Sequence, residues 1–234
     1  MTELAPARGE PRDRLVRRRV WASHSYWAVL GAIFVGFFLA ALSPDAAWAT
    51  SLIVLVQSAT LLIAIWTAGW SVTDRTMSFG LATVGAAGAA VNLFFQAESL
   101  TSALDIYAGL LTAAVAVVIA AGAVSQGEVN TRSVAGAICV YILLGMLFLY
   151  AYGVIAVLGS EPFFAQGMDG TRQLRLYFSF TTLATLGYGD YTAAGNLGHT
   201  LAVLEALLGQ LYLVTVVAVV VTRLGRPARI RRGE

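Results

Sequence analysis

Residues 182–190 read Thr-Leu-Ala-Thr-Leu-Gly-Tyr-Gly-Asp, and they lie between two long apolar stretches. Gly187 and Gly189 alternate there with Leu186, Tyr188 and Asp190. This spacing has a meaning for the backbone. Successive carbonyls can face one side only if neighbouring residues alternate in conformation, some with positive φ, which glycine adopts without steric penalty. A row of carbonyls converging on one axis can replace the water shell of a dehydrated cation.

The surrounding chain says where this stretch operates. Of 234 residues, 58% are hydrophobic and 12% charged, with a mean hydropathy of +0.75. A soluble chain would carry about 25% charged residues. The solvent is therefore lipid, where backbone groups must be satisfied internally and spans are helical. A bilayer core of ~30 Å takes about 20 apolar residues. Six such stretches are expected, near 26–42, 47–70, 77–96, 106–124, 134–158 and 201–223. Turn and charge signals fill the gaps: Ser43-Pro44-Asp45, Asp74-Arg75, residues 98–105 and Gln126-Gly127-Glu128.

All 15 basic residues are arginine. Six precede the first stretch (Arg8, Arg12, Arg14, Arg17, Arg18 and Arg19), and Arg223, Arg226, Arg229, Arg231 and Arg232 end or follow the last. Positive residues stay cytoplasmic, so both termini are expected inside a cell membrane, with Arg75 and Arg132 in loops on that side. Arg172 and Arg175 alone fall outside. The arginine-rich ends fit anionic lipid head groups rather than nucleic acid. The arginine-rich start, the first apolar run and small residues Ala47 and Ala49 also loosely resemble a signal peptide that would remove residues 1–49. The 25 leading residues and the apolar run of about 17 are long for one, so the run is counted as a span. Cys139, the lone cysteine, reads as a small buried hydrophobe.

The run Thr185-Leu186-Gly187-Tyr188-Gly189-Asp190 resembles the selectivity-filter signature of the potassium channel family, and residues 134–223 resemble its two-helix pore module. The resemblance implies an all-α membrane protein with six transmembrane helices. A re-entrant pore helix, near 172–184, and the filter would lie between helices 5 and 6. At 1.5 Å per residue that helix is ~18 Å long and enters the membrane only halfway. Its negative dipole end would face the ion.

By the same resemblance, the Thr185 hydroxyl and the carbonyls of Thr185, Leu186, Gly187 and Tyr188 form the K+ sites. Tyr188 points away as a brace, Gly189 completes the filter, and Asp190 lies at the outer mouth. Tyr177 and Phe178 are placed to pack around Tyr188 of the same or a neighbouring subunit, or simply to pack as buried aromatics. Ala184 departs from the family pattern, in which a second threonine is common and bears on blocker binding. Some relatives carry a pore-helix carboxylate where this chain has Thr181. Donors to Asp190 are then open among Thr181, Thr182 and Tyr177.

Gly209 falls where the family places a hinge glycine, although close helix packing reads equally well. Glu205, one turn earlier, is an ionisable residue inside a span and a functional candidate for that reason. It either attracts cations to the cavity or bonds to the pore helix behind the filter; its level favours the second. Gln210 and Thr215 are the other polar positions, with Thr215 the better cavity-lining candidate. One chain holds one filter and the ion path needs four, so a homotetramer is implied.

Residues 26–125 resemble a sensor domain in layout but lack its chemistry. A voltage sensor carries arginines at every third position of its fourth helix, and the stretch from Ile106 onward has no basic residue. Asp74 and Asp105 are expected at span ends. Asn92 and Gln96 read as hydrogen-bonding glue between helices. A basic segment, 1–25, precedes this unit and a short basic tail, 224–234, follows the pore unit. Gating is expected in the filter, the inner-helix bundle or the lipid contacts. His24 and His199 are isolated, and no nucleophile–base pair, metal cluster or phosphate loop is evident, so no enzyme activity and no cofactor beyond permeant K+ are expected. The reading is a passive, weakly voltage-dependent potassium channel. The alternatives are a poorly selective cation channel and a sensor or assembly subunit with a vestigial pore.

Overall fold

The computed structural model describes residues 12–68, 72–125 and 131–224, with side chains described for 27–67, 76–122 and 134–219. Most of the basic tail, part of the basic N-terminal segment and the turn at Gln126-Gly127-Glu128 lie outside the described residues. The described elements are all helical: α1 (Arg12–Leu42), α2 (Ala47–Ala68), α3 (Val72–Phe95), α4 (Glu98–Ser125), α5 (Thr131–Leu158), α6 (Arg172–Leu183) and α7 (Gly195–Leu224).

Five of these are long and apolar enough to cross a membrane: α2, α3, α4, α5 and α7, over Ala47–Thr67, Thr76–Phe95, Glu98–Gly122, Val134–Leu158 and Gly195–Val219. The protein is a membrane protein. The apolar part of α1 is shorter, Trp27–Leu42. No Pro or Gly interrupts the chain between Arg12 and Tyr26, and arginine is a good helix former, so α1 begins well ahead of its apolar part.

Several boundaries differ from the sequence reading, and three bear on residues singled out there. α4 starts at Glu98, not near Ile106, and its acidic first turn suits the positive end of the helix dipole. Asp105 therefore sits two turns inside α4 rather than at its end. α7 starts at Gly195, whose φ of 69° lies in the left-handed region. Gln96, with φ 46°, lies just past the end of α3, so it closes the helix instead of bridging it.

α2 packs against α1, α3 and α4, while α5 packs against α1, α4, α6 and α7. Val29, Ile53, Leu61, Leu111, Val115, Cys139, Leu143 and Met146 share one buried apolar core, which joins α1, α2 and α4 to α5. Polar bonds fix the α2–α3–α4 register. Asn92 of α3 is fully buried and donates to the Ala47 carbonyl (3.1 Å) and Ser51 Oγ (3.3 Å) of α2, and accepts from Thr101 of α4 at 3.0 Å.

α6 is the exception in length. Its 12 residues measure ~18 Å, too short to cross a bilayer. It is wedged among α1, α5 and α7, with Phe37 of α1 edge-on to Phe180 at 5.1 Å between centroids.

Candidate functional site

The site starts at the first turn of α6. Thr171 takes an extended conformation ahead of the helix, and its side chain accepts from the Leu174 N–H at 3.2 Å, which satisfies one of the unpaired donors at a helix start. At the other end the chain leaves the helix at Ala184, whose N–H donates to the Phe180 carbonyl at 3.0 Å.

Beyond Ala184 the backbone alternates. Thr185, Gly187 and Gly189 have φ of 57°, 52° and 80°, whereas Leu186 and Tyr188 are not in the left-handed region. The two glycines behave as their spacing suggests. Thr185 does not follow from glycine logic, because a β-branched residue at positive φ is strained. Hydrogen bonds to the end of α6 hold the turn. Leu186 N and Gly187 N both donate to the Thr181 carbonyl, at 2.8 and 3.2 Å, and Thr185 N donates to the Thr182 carbonyl at 3.0 Å.

At the far end, the Tyr177 hydroxyl donates to Asp190 Oδ2 at 2.9 Å. This identifies the Asp190 partner among the three donors considered; Thr181 instead donates to the Phe178 carbonyl, at 3.0 Å. Tyr177 and Tyr188 stack with planes within 5° and centroids 6.3 Å apart. Phe178 turns elsewhere within the chain. Its ring meets Tyr152, Phe163 and Phe164, because successive residues on a helix point about 100° apart.

The chain after the stretch is pinned to the loop before α6. Ala165 N donates to the Thr192 carbonyl (2.9 Å), Ala194 N to the Phe163 carbonyl (2.6 Å), and Gln166 Nε2 to the Asp190 carbonyl (3.0 Å). The stretch itself is exposed along 184–190 in the single chain, with nothing within 4 Å of where a Cβ would stand on Gly187 or Gly189.

Behind it lies Glu205, fully buried on α7. Its carboxylate takes a hydrogen bond from Tyr152 of α5 on one oxygen and contacts Ser179 of α6 on the other. Ser179 Oγ also lies 2.8 Å from the Gly145 carbonyl of α5. Of the two roles open to Glu205, the geometry takes the one against α6. Both partners lay outside the sequence reading: Tyr152 is 53 positions away, and Ser179 is a plain serine.

Gly209 continues the same face. A Cβ there would overlap the Leu183 carbonyl oxygen, so Gly209 is a close-packing glycine in this conformation. Tyr212 follows, donating to the Ala137 carbonyl at 2.7 Å and stacking on Tyr141. Glu205, Gly209 and Tyr212 thus form the stripe by which α7 holds α5 and α6. The remaining α7 surface, including Leu207, Leu211, Val214, Thr215 and Val217, is exposed in the single chain.

Comparison with known proteins follows the same outline. Residues 136–226, less than half of the chain, match the family described as ion channel. An inward rectifier potassium channel, Kirbac3.1 of Paramagnetospirillum magnetotacticum, is 33% identical over 87 residues. That alignment covers 37% of this chain and 28% of the relative, so the chain matches little more than a quarter of that protein's length. No solved structure matches. The chain carries an ion channel domain over 136–226, and the resemblance to the potassium channel family read from residues 185–190 is borne out.

The packing at Gly209 leads to a first prediction. Gly209→Ala should lower the thermal stability of the detergent-solubilised protein by about 1–3 kcal/mol, the cost of overpacking. Unchanged unfolding of that variant would mean that α7 does not press on Leu183.

Proposed function

We propose that the chain is one subunit of a homotetrameric, potassium-selective channel that conducts passively and with weak voltage dependence. The alternation of backbone conformation at Thr185, Gly187 and Gly189 carries this reading. It supports a row of carbonyls on one side, and four such rows around an axis supply the oxygen cages that a dehydrated K+ ion needs.

In this reading the Thr185 hydroxyl and the carbonyls of Thr185, Leu186, Gly187 and Tyr188 bind the ions, and Gly189 lets the chain leave the axis. Tyr177 braces Tyr188 and fixes Asp190 at the outer mouth. Thr181 and Thr182 anchor the inner end through their carbonyls. Glu205 ties α7 to α6 behind the filter, and Thr215 faces the cavity. The apolar, exposed flank of α7 supports contact with further copies. α1 to α5 and α7 serve as six spans, with α6 re-entrant, both termini cytoplasmic, and the arginine-rich ends against anionic lipid. The first four helices form a sensor-like unit without gating charges.

Selectivity is the direct test. For purified protein in liposomes with potassium inside and sodium outside, the reversal potential should lie near the potassium equilibrium value, with rubidium permeant and barium blocking. A reversal near zero with sodium current would place the protein among poorly selective cation channels.

Gly187→Ala probes the backbone itself. Space around the Gly187 Cβ position is open within the single chain, so no clash inside the subunit is expected and the effect comes from strain at φ 52°, about 1–2 kcal/mol per residue. Conduction should be lost or scrambled while assembly persists, and wild-type potassium flux in this variant is the contrary result.

Voltage dependence follows from charge placement. One charge crossing the field yields ~2.3 kcal/mol per 100 mV, and steep gating needs about 3–4 charges per subunit. α4 contains no basic residue. A conductance–voltage curve in symmetrical potassium should be shallow, with any residual slope changing when rubidium replaces potassium. A steep sigmoid independent of the permeant ion would contradict it.

A further inference from the structure

The first turn of α6 is gripped by α2, α4 and the α1–α2 connection, all outside the ion channel domain. Asp45, in the α1–α2 connection, accepts from the Arg172 backbone N–H with both oxygens, at 3.2 and 3.0 Å. The Arg172 guanidinium reaches through the interface to Thr50 of α2 and to Asp105 of α4, the latter at 2.9 Å. Gln173 Nε2 donates to the Ser43 carbonyl at 2.7 Å. Arg172 is 2% exposed, a depth at which an arginine needs its charge paired.

This grip is incomplete on one side. Arg172 Nε and Nη1 and Arg175 Nε are buried without a protein partner among the described residues. They border a cavity of ≈ 120 Å³ lined by Asp105, Tyr150, Gly153, Arg172 and Arg175. A space of that size, lined by these groups together with Leu149, Val154 and Val157, has room for a few water molecules. Arg172 thus sits at the edge of a gap between α4, α5 and α6, where its pairing has room to rearrange. An apolar contact of the same area would lack that freedom.

From Arg172 the connection to the 184–190 stretch is short and stiff. α6 is a single helix of 12 residues, and its last turn supplies the Thr181 and Thr182 carbonyls that hold Thr185, Leu186 and Gly187. We propose that Arg172 is a positioning residue for the filter, docking the start of α6 onto the first four helices through Asp45, Thr50 and Asp105 so that those helices set the filter's geometry. The inference rests on the channel reading and gives the sensor-like unit, which lacks gating charges, a role of its own. That unit presents two aspartates and a hydroxyl to the pore helix.

Two variants of the full-length protein test it. Asp105→Asn keeps the shape and an acceptor but removes the charge, and Arg172→Lys keeps the charge but loses the fork that reaches two partners. Both are measured for hydrogen exchange of peptides covering 172–190, which needs no ion flux, and for barium dwell time and the rubidium-to-potassium conductance ratio in liposomes. Exchange should rise roughly tenfold at the Leu186 and Gly187 amides, and barium dwell or the conductance ratio should shift in the same direction for both variants. The double variant should show no more effect than the stronger single one. Exchange that rises only at 171–175, with filter amides, barium dwell and conductance ratio as in the wild type, would reduce Arg172 to a brace and overturn the proposal. A wild-type protein without potassium flux would instead strike the channel reading, while the exchange measurement still decides whether Arg172 communicates with residues 185–187.

Discussion

In the proposed filter the carbonyls of residues 185–188 face one way and cannot pair within the stretch, and this constraint would govern the architecture around residues 184–190. Helices and sheets satisfy their carbonyls internally. A segment that offers them to something else must be held by its amides and side chains from outside. Here the inner end hangs from the Thr181 and Thr182 carbonyls, and the outer end from Tyr177 on Asp190 Oδ2 and Gln166 on the Asp190 carbonyl. Every one of these anchors belongs to α6 or to the loop before it. The stretch can be no better placed than α6 is.

α6 is placed by polar contacts at its start and by packing along its length. Phe178 and Ser179 are buried toward α5 and α7, with Phe178 in an aromatic cluster that includes Phe148, Tyr152, Phe163 and Phe164. The Tyr152–Glu205–Ser179 contact crosses three helices at one point. Burying a carboxylate costs several kcal/mol unless its oxygens are bonded, and this contact satisfies both oxygens of Glu205 only when α5, α6 and α7 meet in this register. Removing either hydroxyl leaves an oxygen of Glu205 without its partner, which is the costly outcome.

The sequence made the local features legible and concealed the distant ones. Glycine spacing at 187 and 189 translated directly into positive φ, since that conformation is a property of single residues. Apolar runs located the long helices because lipid leaves them no alternative. The reading failed where polar residues belong to helices. Glu98, Thr101, Ser102 and Asp105 looked like a connecting loop, yet they form the first turns of α4, where Thr101 reaches α3 and Asp105 reaches α6. Arg172 was legible only as a charge beside the pore segment. Its partners Asp45, Thr50 and Asp105 lie 127, 122 and 67 positions away, a separation that no local pattern encodes. Glu205 was an intermediate case: its presence in a span announced a role, but its partners emerged only from packing.

Thr185 shows where local rules and the site part company. A threonine at φ 57° carries a strain of about 1–2 kcal/mol that glycine would avoid, and two glycines stand two and four residues away in the same pattern. Such strain persists only where the surroundings over-determine it, and here they do: its N–H is held by Thr182, and the next two amides by Thr181. Backbone requirements alone would favour glycine at 185. In the proposed filter the side chain offsets that cost, because the threonine would bring a hydroxyl oxygen to the end of the row of carbonyls. The strain at Thr185 and the proposed ion row are therefore two expressions of one demand, for oxygen atoms at that position even where the backbone is strained to supply them.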